Sequence, residues 1–413
     1  MIPQGWTATT IGEHADLLTG FAFLSADYTS TEEDIRLLRG DNIAPNRLRW
    51  RDVKRFPASR QGEFERYQLR AGDFVVAMDR TWLPSGVKVA EVSSSDLPCL
   101  LVQRVARLRS KGTLHQRLMR QLFSDNRFSE YVRGTQTATA VPHISPHDLR
   151  SYPISLPPLP EQRRIAEILA TWDRAIGTVE ALIANAREQK AAMMQALLTG
   201  ERRLPGFDRP WRQVTLSELG AFRKGKGISR AEVRTSGLPC VRYGEIYTLH
   251  HDLIQEFGSY IDAASASLSE PIGRGDILFA CSGETAAEIG KCVAFDGPER
   301  AYAGGDIVVF TPRGESSVFL AYLLNSPKVA VQKAQMGQGN AVVHISAANL
   351  GKLRFAIPDH DEQDAIAQHL LTADALARIQ TAKLAVLEKE KSALMQQLLT
   401  GKRRVRVTES EAA

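Results

Sequence analysis

The chain has 413 residues, of which 43% are hydrophobic and 24% charged. This composition excludes a disordered, collagenous or membrane-spanning protein, and the length allows two or three domains. The 52 basic and 47 acidic residues give a net charge of +5, which is compatible with a polyanionic partner, and 21 basic against 17 acidic residues lie in the first 155 positions. The N-terminus lacks a basic start followed by an apolar run, so we expect no secretion signal, no membrane partner and a cytoplasmic location.

Short β-type runs broken by glycine and proline come first in the chain, and a helical stretch near residues 116–132 follows them. The same order returns later, with a helical stretch near 318–335. The strand-like runs lie at residues 72–78, 100–102, 104–108, 275–280 and 306–310. Strands followed by helices predict an α+β domain, here present twice.

The chain repeats itself, and the clearest matches are offset by 201 residues. The repeated pieces are His143-Ile144-Ser145 with His344-Ile345-Ser346, Glu161-Gln162 with Glu362-Gln363, Leu197-Leu198-Thr199-Gly200 with Leu398-Leu399-Thr400-Gly401, and Arg202-Arg203 with Arg403-Arg404. Upstream matches are looser, with offsets of 203 to 205. The repeat predicts globular domains at 1–155 and 204–356, helices within 156–203 and 357–404, and a flexible tail at 405–413.

Each segment after a globular part predicts a long helix, because apolar or small residues recur in alternating steps of four and three. Each helix begins after a proline-containing stretch and ends at Thr-Gly followed by Arg-Arg, which are typical helix boundaries. The seam residues are Ile165, Leu169, Trp172, Ile176, Val179, Ile183, Ala186, Lys190, Met193 and Leu197 in the first helix, and Ile366, Leu370, Ala373, Ala377, Gln380, Leu384, Leu387, Lys391, Leu394 and Leu398 in the second.

Two helices with one apolar stripe each can bury these stripes against one another. Reflection about residue 181 maps the first seam onto itself, which favours an antiparallel coiled coil with an internal pseudo-two-fold repeat. This pairing sets Trp172 against Lys391 and Lys190 against Ala373, and we expect both lysines to extend past these neighbours towards solvent. The alternative is that each helix lies only on its own globular domain.

The sequence does not match the residue spacing of the catalytic motifs that we compared with it. Six residues separate Gly283 from Gly290-Lys291, and Cys292 stands where a phosphate-binding loop needs a hydroxyl. Asp52-Val53-Lys54, with Asp41 upstream, offers the residues of a nuclease-like acid-acid-lysine site, but such triplets arise by chance in so charged a chain. The four cysteines have no metal-ligand spacing, so we expect buried thiols and no metal site. The sequence therefore predicts a non-catalytic protein.

The residues around the helix starts resemble a known family. The run Pro-Pro-Leu-Pro-Glu-Gln-Arg-Arg-Ile-Ala at 157–166, leading into a helix that closes with Leu-Leu-Thr-Gly, resembles the specificity subunit of type I restriction-modification systems. The turn Arg39-Gly40-Asp41-Asn42-Ile43 is similar to that family's target-recognition domains. In the second copy Ile357-Pro358-Asp359-His360-Asp361 replaces the proline-rich lead. The resemblance covers essentially the whole chain.

The resemblance implies two target-recognition domains, each reading one half of a bipartite, asymmetric DNA sequence. It implies that the antiparallel helices set the spacing and bind two methyltransferase (modification) subunits, which motor-nuclease (restriction) subunits join. The complex would be a DNA adenine methyltransferase and ATP-dependent endonuclease, with S-adenosylmethionine, ATP and Mg²⁺ in the partner subunits and no cofactor in this chain. Ile168, Leu182 and Met194, outside the seam, are the candidate methyltransferase contacts.

Candidate DNA contacts are side chains that can reach base edges or phosphates. They are Arg39, Asn42, Arg80, Trp82, Lys88, Arg104, Gln136 and Thr137 in the first domain, and Lys224, Lys226, Arg242, Tyr243, Lys291, Gln338 and Asn340 in the second. Each basic residue could instead be a solvated surface charge. Arg39 and Arg242 could equally be structural ion-pair partners of nearby acids, and Trp82 and Tyr243 could be packing residues.

Alternative functions lead to different expectations. A scaffold or adaptor that binds protein or RNA would lack a salt-steep affinity for duplex DNA. A specificity subunit of a methylation-only system would act without a nuclease. A single-chain restriction-modification enzyme would need a methyltransferase Asn/Asp-Pro-Pro-Tyr/Phe tetrapeptide, which the sequence lacks.

Overall fold

The computed structural model describes residues 2–137, 141–339 and 342–407. The chain divides into two compact units. The first unit is Met1–Glu180 with Ala382–Ala413, and the second unit is Ala181–Thr381. Each unit therefore combines one globular segment with half of each long helix, whereas the boundaries predicted from the repeat separate these pieces. Part of the predicted tail, 408–413, lies outside the described residues.

The elements follow the predicted order of strands, short helices and one long helix, twice. The strands of the first unit are β1 (Thr7–Thr10), β2 (Ala15–Thr19), β3 (Ile35–Leu38), β4 (Ile43–Ala44), β5 (Arg47–Leu48), β6 (Lys54–Phe56), β7 (Phe74–Ala77), β8 (Trp82–Leu83), β9 (Gly86–Val87), β10 (Val89–Glu91), β11 (Cys99–Leu101), β12 (Val105–Ser110) and β13 (Pro153–Leu156). Those of the second unit are β14 (Arg212–Thr215), β15 (Gly220–Lys224), β16 (Leu238–Val241), β17 (Leu253–Ile254), β18 (Ser259–Ile261), β19 (Glu270–Ile272), β20 (Ile277–Ala280), β21 (Ser282–Gly283), β22 (Cys292–Phe295), β23 (Ala301–Ala303), β24 (Ile307–Pro312), β25 (Val343–His344) and β26 (Arg354–Ile357).

The α-helices are α1 (Ile11–His14), α2 (Gln116–Ser124), α3 (Asn126–Thr135), α4 (Pro146–Ser151), α5 (Leu159–Leu198), α6 (Tyr243–Thr248), α7 (Ala263–Leu268), α8 (Ser317–Leu324), α9 (Pro327–Met336), α10 (Ala347–Gly351) and α11 (His360–Leu398). Of these, α5 with 40 residues and α11 with 39 are about four times as long as any other described helix. Within the described residues, none of these helices is long and apolar enough to cross a membrane.

The two units share one sheet plan. The first has an antiparallel sheet in the order β10-β7-β12-β2 and a second sheet in the order β11-β3-β6, in which β11 and β3 are parallel. The second unit has the sheets β15-β24-β20-β22-β17 and β18-β16-β23-β19. In each unit the first strand pairs antiparallel with the last strand before the long helix, as β1 with β13 and β14 with β26. The predicted α+β class with an internal repeat is confirmed.

A central strand separates two of the hydrophobic cores in each unit, because successive side chains of a strand leave opposite faces of the sheet. In β7, Phe74 and Val76 join the core under the helices, while Val75 and Ala77 join the core on the other face. Strand β20 does the same in the second unit. All four cysteines are free and buried, and burial raises the pKa of Cys99 to about 12, so this thiol stays neutral as expected for a core residue.

The halves of α5 and α11 run antiparallel within each unit. In the first unit Glu161 bonds to Arg404, and Asp173 bonds to Lys391 further along α5. In the second unit the order is again reversed, since Glu362 bonds to Arg203 while Asp374 lies beside Lys190. Every predicted seam position on both helices is buried or half-buried. The antiparallel arrangement expected from the reflected heptads is therefore present in each unit.

The two seam lysines differ from the expectation that they extend to solvent. The Lys391 side chain is 14% exposed, and its Nζ lies 2.6 Å from Asp173 Oδ1. The Lys190 side chain is 18% exposed, with its Nζ 2.7 Å from Asp374 Oδ1 and 2.8 Å from Asp252 Oδ2. Each lysine thus meets an aspartate one position away from the expected partner, Trp172 or Ala373, because a half-buried ammonium group needs a carboxylate nearby.

We predict that Lys190→Met destabilises the second unit by about 3 kcal/mol, because it leaves two half-buried carboxylates without their cation. Lys391→Met should cost less, since Lys391 pairs with one aspartate, and Lys328→Met, at an exposed position of the second unit, should cost nothing measurable. Burial alone would lower the pKa of Lys190, but Asp252 and Asp374 outweigh it and raise that pKa above 10.5.

The contribution of Lys190 should therefore persist at all pH values below about 10.5 and decline only as the pH rises through the raised pKa. Urea denaturation of the full chain at pH 7 and at pH 11 measures both effects. Equal stability of the Lys190→Met and Lys328→Met variants at pH 7 would contradict this account.

Candidate nucleic-acid interface

Four backbone hydrogen bonds gather five loops at one end of the first unit. They run from Gly20 N to Val105 O, from Val102 N to Leu38 O, from Met78 N to Arg104 O and from Ile144 N to Met78 O, over 2.9–3.2 Å. Close packing is needed here, because a Cβ on Gly20 would lie 2.2 Å from Val102 O. The loops that follow β2, β3, β7 and β11 therefore meet the segment before α4.

The same four bonds recur in the second unit. They run from Gly225 N to Ile307 O, from Gly304 N to Val241 O, from Cys281 N to Asp306 O and from Ile345 N to Cys281 O, over 2.8–3.1 Å. A Cβ on Gly225 would lie 2.1 Å from Gly304 O. Both units thus present the same loop framework at the corresponding end.

A cleft of about 860 Å³ opens at this end of the first unit. Four of the predicted DNA contacts line it together with Lys54 and two acids. The charged lining residues are Arg39, Asp41, Lys54, Asp79, Arg80, Lys88 and Arg104. Five cations against two carboxylates give the cleft a net positive charge, which attracts an anionic ligand.

Two of these arginines hold a strained backbone. Arg80 has φ of 46° and Arg104 has φ of 66°, in the left-handed region that costs an ordinary side chain about 1 kcal/mol or more. Both are exposed at the cleft. In the framework bond that Met78 N donates to Arg104 O, the second unit has Asp306 in the place of Arg104, at φ of 59°, and aspartate tolerates this region better. Strain at an exposed arginine suggests a functional reason for the residue.

Two more of the five cleft cations, Arg39 and Lys88, also have partners within the protein. Arg39 lies 3.3 Å from Asp41, whose side chain is 81% exposed. Lys88 is 7% exposed and its Nζ donates to Asp79 O over 3.4 Å. Burial lowers the pKa of Lys88, although nearby Asp41 opposes the shift. Lys88 therefore forms the floor of the cleft rather than its open rim.

Three further predicted contacts of the first domain have structural partners. Asn42 is 3% exposed, and its side chain accepts from Arg39 N and donates to Arg49 O, holding a turn. Trp82 is half-buried with the Arg133 guanidinium 5.1 Å from its ring centroid. Thr137 N donates to His143 O, and Thr137 Oγ1 accepts from His143 N. Gln136, the remaining predicted contact, is half-buried at the C-terminal end of α3.

Sequence reasoning missed the acid and the histidine that connect the cleft. His143 Nδ1 lies 2.6 Å from Asp79 Oδ1, and Arg104 NH1 lies 3.3 Å from the same oxygen. The repeat of His143 as His344 is the available signal in the sequence, although a histidine beside an Ile-Ser turn is more often structural than functional.

The predicted contacts of the second domain are mostly exposed. Lys224, Lys226 and Gln338 are exposed, and Tyr243 is 41% exposed. Lys226 Nζ lies 3.4 Å from Glu270, and the backbone of Lys226 joins the framework through a bond to Ala303 O.

Two of them serve the fold. Arg242 is half-buried and lies 3.4 Å from Glu245, whose carboxylate caps the start of α6. Lys291 is half-buried and donates to His250 O over 3.1 Å, and burial lowers its pKa. Asn340 lies outside the described residues.

The candidate methyltransferase contacts divide into two groups. Ile168 and Met194 are half-buried against the cores of their own units, while Leu182 is 45% exposed. Further exposed aliphatic residues on the long helices, which the sequence analysis did not select, are Leu376, Ile379 and Val386.

Metal chemistry has no support in the described ranges, where no group of three or more His, Cys, Asp or Glu residues is placed to hold an ion.

Comparison with known proteins gives a family model described as a type I restriction modification DNA specificity domain, which matches twice, at residues 3–186 and 208–389. The chain is 32% identical over 196 residues to the Escherichia coli type I restriction enzyme EcoAI specificity subunit, covering 48% of this chain and 33% of that protein. It is 26% identical over 330 residues to the Methanocaldococcus jannaschii type I restriction enzyme MjaVIII specificity subunit, covering 74% and 75%.

Solved structures share the fold. A crystal structure of a type I restriction-modification system S subunit from M. genitalium superposes with a TM-score of 0.62 at 15% identity, covering 97% of this chain and 99% of that chain. A chain from a structure on complex assembly and conformational transition of the type I R-M system gives a TM-score of 0.55 at 19% identity, covering 98% and 100%.

We predict that Arg104→Gly is about 1 kcal/mol more stable than Arg104→Ala, because glycine adopts the left-handed φ of 66° without the penalty that alanine pays. Both variants lose the same pair with Asp79, so this loss cancels in the comparison. Urea denaturation of the two variants measures the difference. Indistinguishable midpoints would show that Arg104 is not strained.

Proposed function

This chain belongs to the type I restriction-modification DNA specificity family, and we propose that it selects the DNA sequence on which such a system acts. Each unit reads one half of a bipartite, asymmetric target through the loops gathered at its cleft end. The observation that carries this proposal is the shared loop framework with different side chains, as with Arg104 in one unit and Asp306 in the other. One framework can then present two different sets of base contacts.

The chemistry of the first cleft supports DNA as the ligand. Exposed arginines at a positively charged cleft suit the phosphate backbone and the acceptors of guanine. Arg80 and Arg104 are the principal contacts, with Arg39 beside them. In the second unit the exposed Lys224, Lys226, Tyr243 and Gln338 have this role.

The remaining parts of the system lie in partners. The long helices set the distance between the half-sites and bind two methyltransferase subunits, and restriction subunits join the assembly. S-adenosylmethionine, ATP and Mg²⁺ act in those subunits, and this chain has no catalytic role. The exposed Leu182, Leu376 and Ile379 on the second unit's helix segments are suited to a helix of the methyltransferase.

The test of the proposal is co-expression of the chain with the methyltransferase encoded beside it, followed by mapping of methylated adenines across the host genome. We expect one split motif with a fixed gap. Methylation without a motif, or none at all, would contradict the proposal and favour a scaffold. A split motif without DNA cleavage in the complete complex would identify a methylation-only system.

We predict that Arg104→Ala lowers the affinity for a duplex containing that motif by about tenfold, the discrimination carried by one good base contact. The matched control is Lys111→Ala, because Lys111 follows β12 whereas Arg104 precedes it, so the two cations lie about 20 Å apart at opposite ends of one strand. Competition binding at 50 to 200 mM salt measures affinity and its salt dependence. Equal losses of affinity for Arg104→Ala and Lys111→Ala would show that the DNA does not bind at the cleft.

A further inference from the structure

The carboxylate of Asp79 connects two sides of the first cleft. Its Oδ1 lies 2.6 Å from His143 Nδ1 and 3.3 Å from Arg104 NH1. Arg104 belongs to the turn between β11 and β12, and His143 belongs to the segment between α3 and α4. One oxygen therefore holds together a turn and a loop that are far apart in the sequence.

Each of these contacts fixes something that would otherwise move. The Arg104 side chain is 61% exposed, and an arginine this open loses considerable rotamer freedom when it binds a ligand. His143 anchors its segment through backbone bonds with Thr137, and neighbouring Pro142 O accepts from Arg80 N over 2.8 Å. Asp79 thus restrains the arginine and the segment at Pro142 and His143 before any ligand arrives, which reduces the entropy lost on binding.

A carboxylate at this place is unfavourable for DNA binding in itself, because it repels phosphate. The cleft contains a second acid, Asp41, whose side chain is 81% exposed and pairs with Arg39. Asp79 differs because its side chain is 31% exposed and contacts two donors. Its position in a cationic cleft is explained if it arranges the groups that read DNA.

The second unit provides an internal comparison. Ser282 occupies the place of Asp79, with its Oγ 2.9 Å from His344 Nδ1. Asp306 occupies the place of Arg104 in the framework bond. The first unit thus combines the acid Asp79 with Arg104, whereas the second unit has the hydroxyl of Ser282 and the acid Asp306 at these two places. Both positions of the pair thus differ between the units, while the contact to the histidine is kept.

We infer that Asp79 is a positioning residue for the first half-site, holding Arg104 and His143 in the geometry that reads the DNA, and that the neutral Ser282 does this for His344 in the second unit. The inference rests on the proposed function. The histidine is held by the Asp79 carboxylate in the first unit and by the Ser282 hydroxyl in the second.

The experiment compares Asp79→Asn with Asp41→Asn in the full chain, co-expressed with its methyltransferase. Both variants remove one negative charge from the same cleft, so a purely electrostatic effect would strengthen DNA binding equally in both. The measured quantity is the ratio of the affinity for the motif to the affinity for a duplex that is scrambled in the first half of the motif. We expect Asp79→Asn to lower this ratio about tenfold. Asp41→Asn should keep that discrimination.

Discrimination in the second half of the motif is the internal control for folding, because the second unit carries no change. It should be unaltered in both variants. If Asp79→Asn also binds more tightly with full discrimination, as expected of Asp41→Asn, the inference is overturned. A wild-type chain that shows no motif at all would contradict the proposed function instead, so the two failures are distinguishable.

A double-mutant cycle with Arg104 completes the test. Because Asp79 acts in part through Arg104, the loss of first-half discrimination in the double variant Asp79→Asn with Arg104→Ala should be smaller than the sum of the two single losses. Fully additive losses would overturn the inference. Should Asp79→Asn fold poorly, Asp79→Ser, which carries the residue that the second unit has at this place, replaces it in the same comparison with the same expected loss.

Discussion

A buried carboxylate closes each unit onto the end of a helix that returns from the other half of the chain. Glu161, at the start of α5, accepts from Arg404 and from Trp6, and its side chain is 5% exposed. Glu362, at the start of α11, accepts in the same way from Arg203 and Trp211. A carboxylate this deep is stable only with its cation in place. Neither unit is therefore complete without a helix segment far away in the sequence.

The contacts that hold the helix halves are shared by the two units, whereas the side chains on the loops differ between them. The seam, the buried glutamates and the paired lysines hold the helix halves, and the framework bonds hold the loops at the other end of each unit. The side chains on those loops are left free to differ. Arg104 and Asp306 occupy equivalent places with similar left-handed backbones, so a change of base contact there leaves the backbone unchanged.

Patterns of local spacing made much of this predictable from the sequence. The heptads indicated both helices and their antiparallel pairing, and the 201-residue offset indicated two similar domains. The aspartates that pair with the seam lysines repeat at the same offset, but their role depends on which residue of the opposite helix they meet. The composition of the two units likewise depends on contacts between residues more than 150 positions apart, such as Glu161 with Arg404 and Arg203 with Glu362.

The candidate site was predictable in part for the same reason. Residue type identified the arginines that line the cleft, but burial is a tertiary property, and it places Asn42, Lys88 and Lys291 largely inside the protein. Asp79 was missed because its function depends on two neighbours brought together by the fold.

The central claim is that each unit reads its own half of the target. Exchanging residues 1–155 for those of another family member, and separately exchanging 204–356, then mapping methylated adenines, tests it most directly. We expect the first exchange to change only one half of the motif, the second exchange to change only the other half, and the gap between them to stay constant. Simultaneous change of both halves after a single exchange would contradict the account.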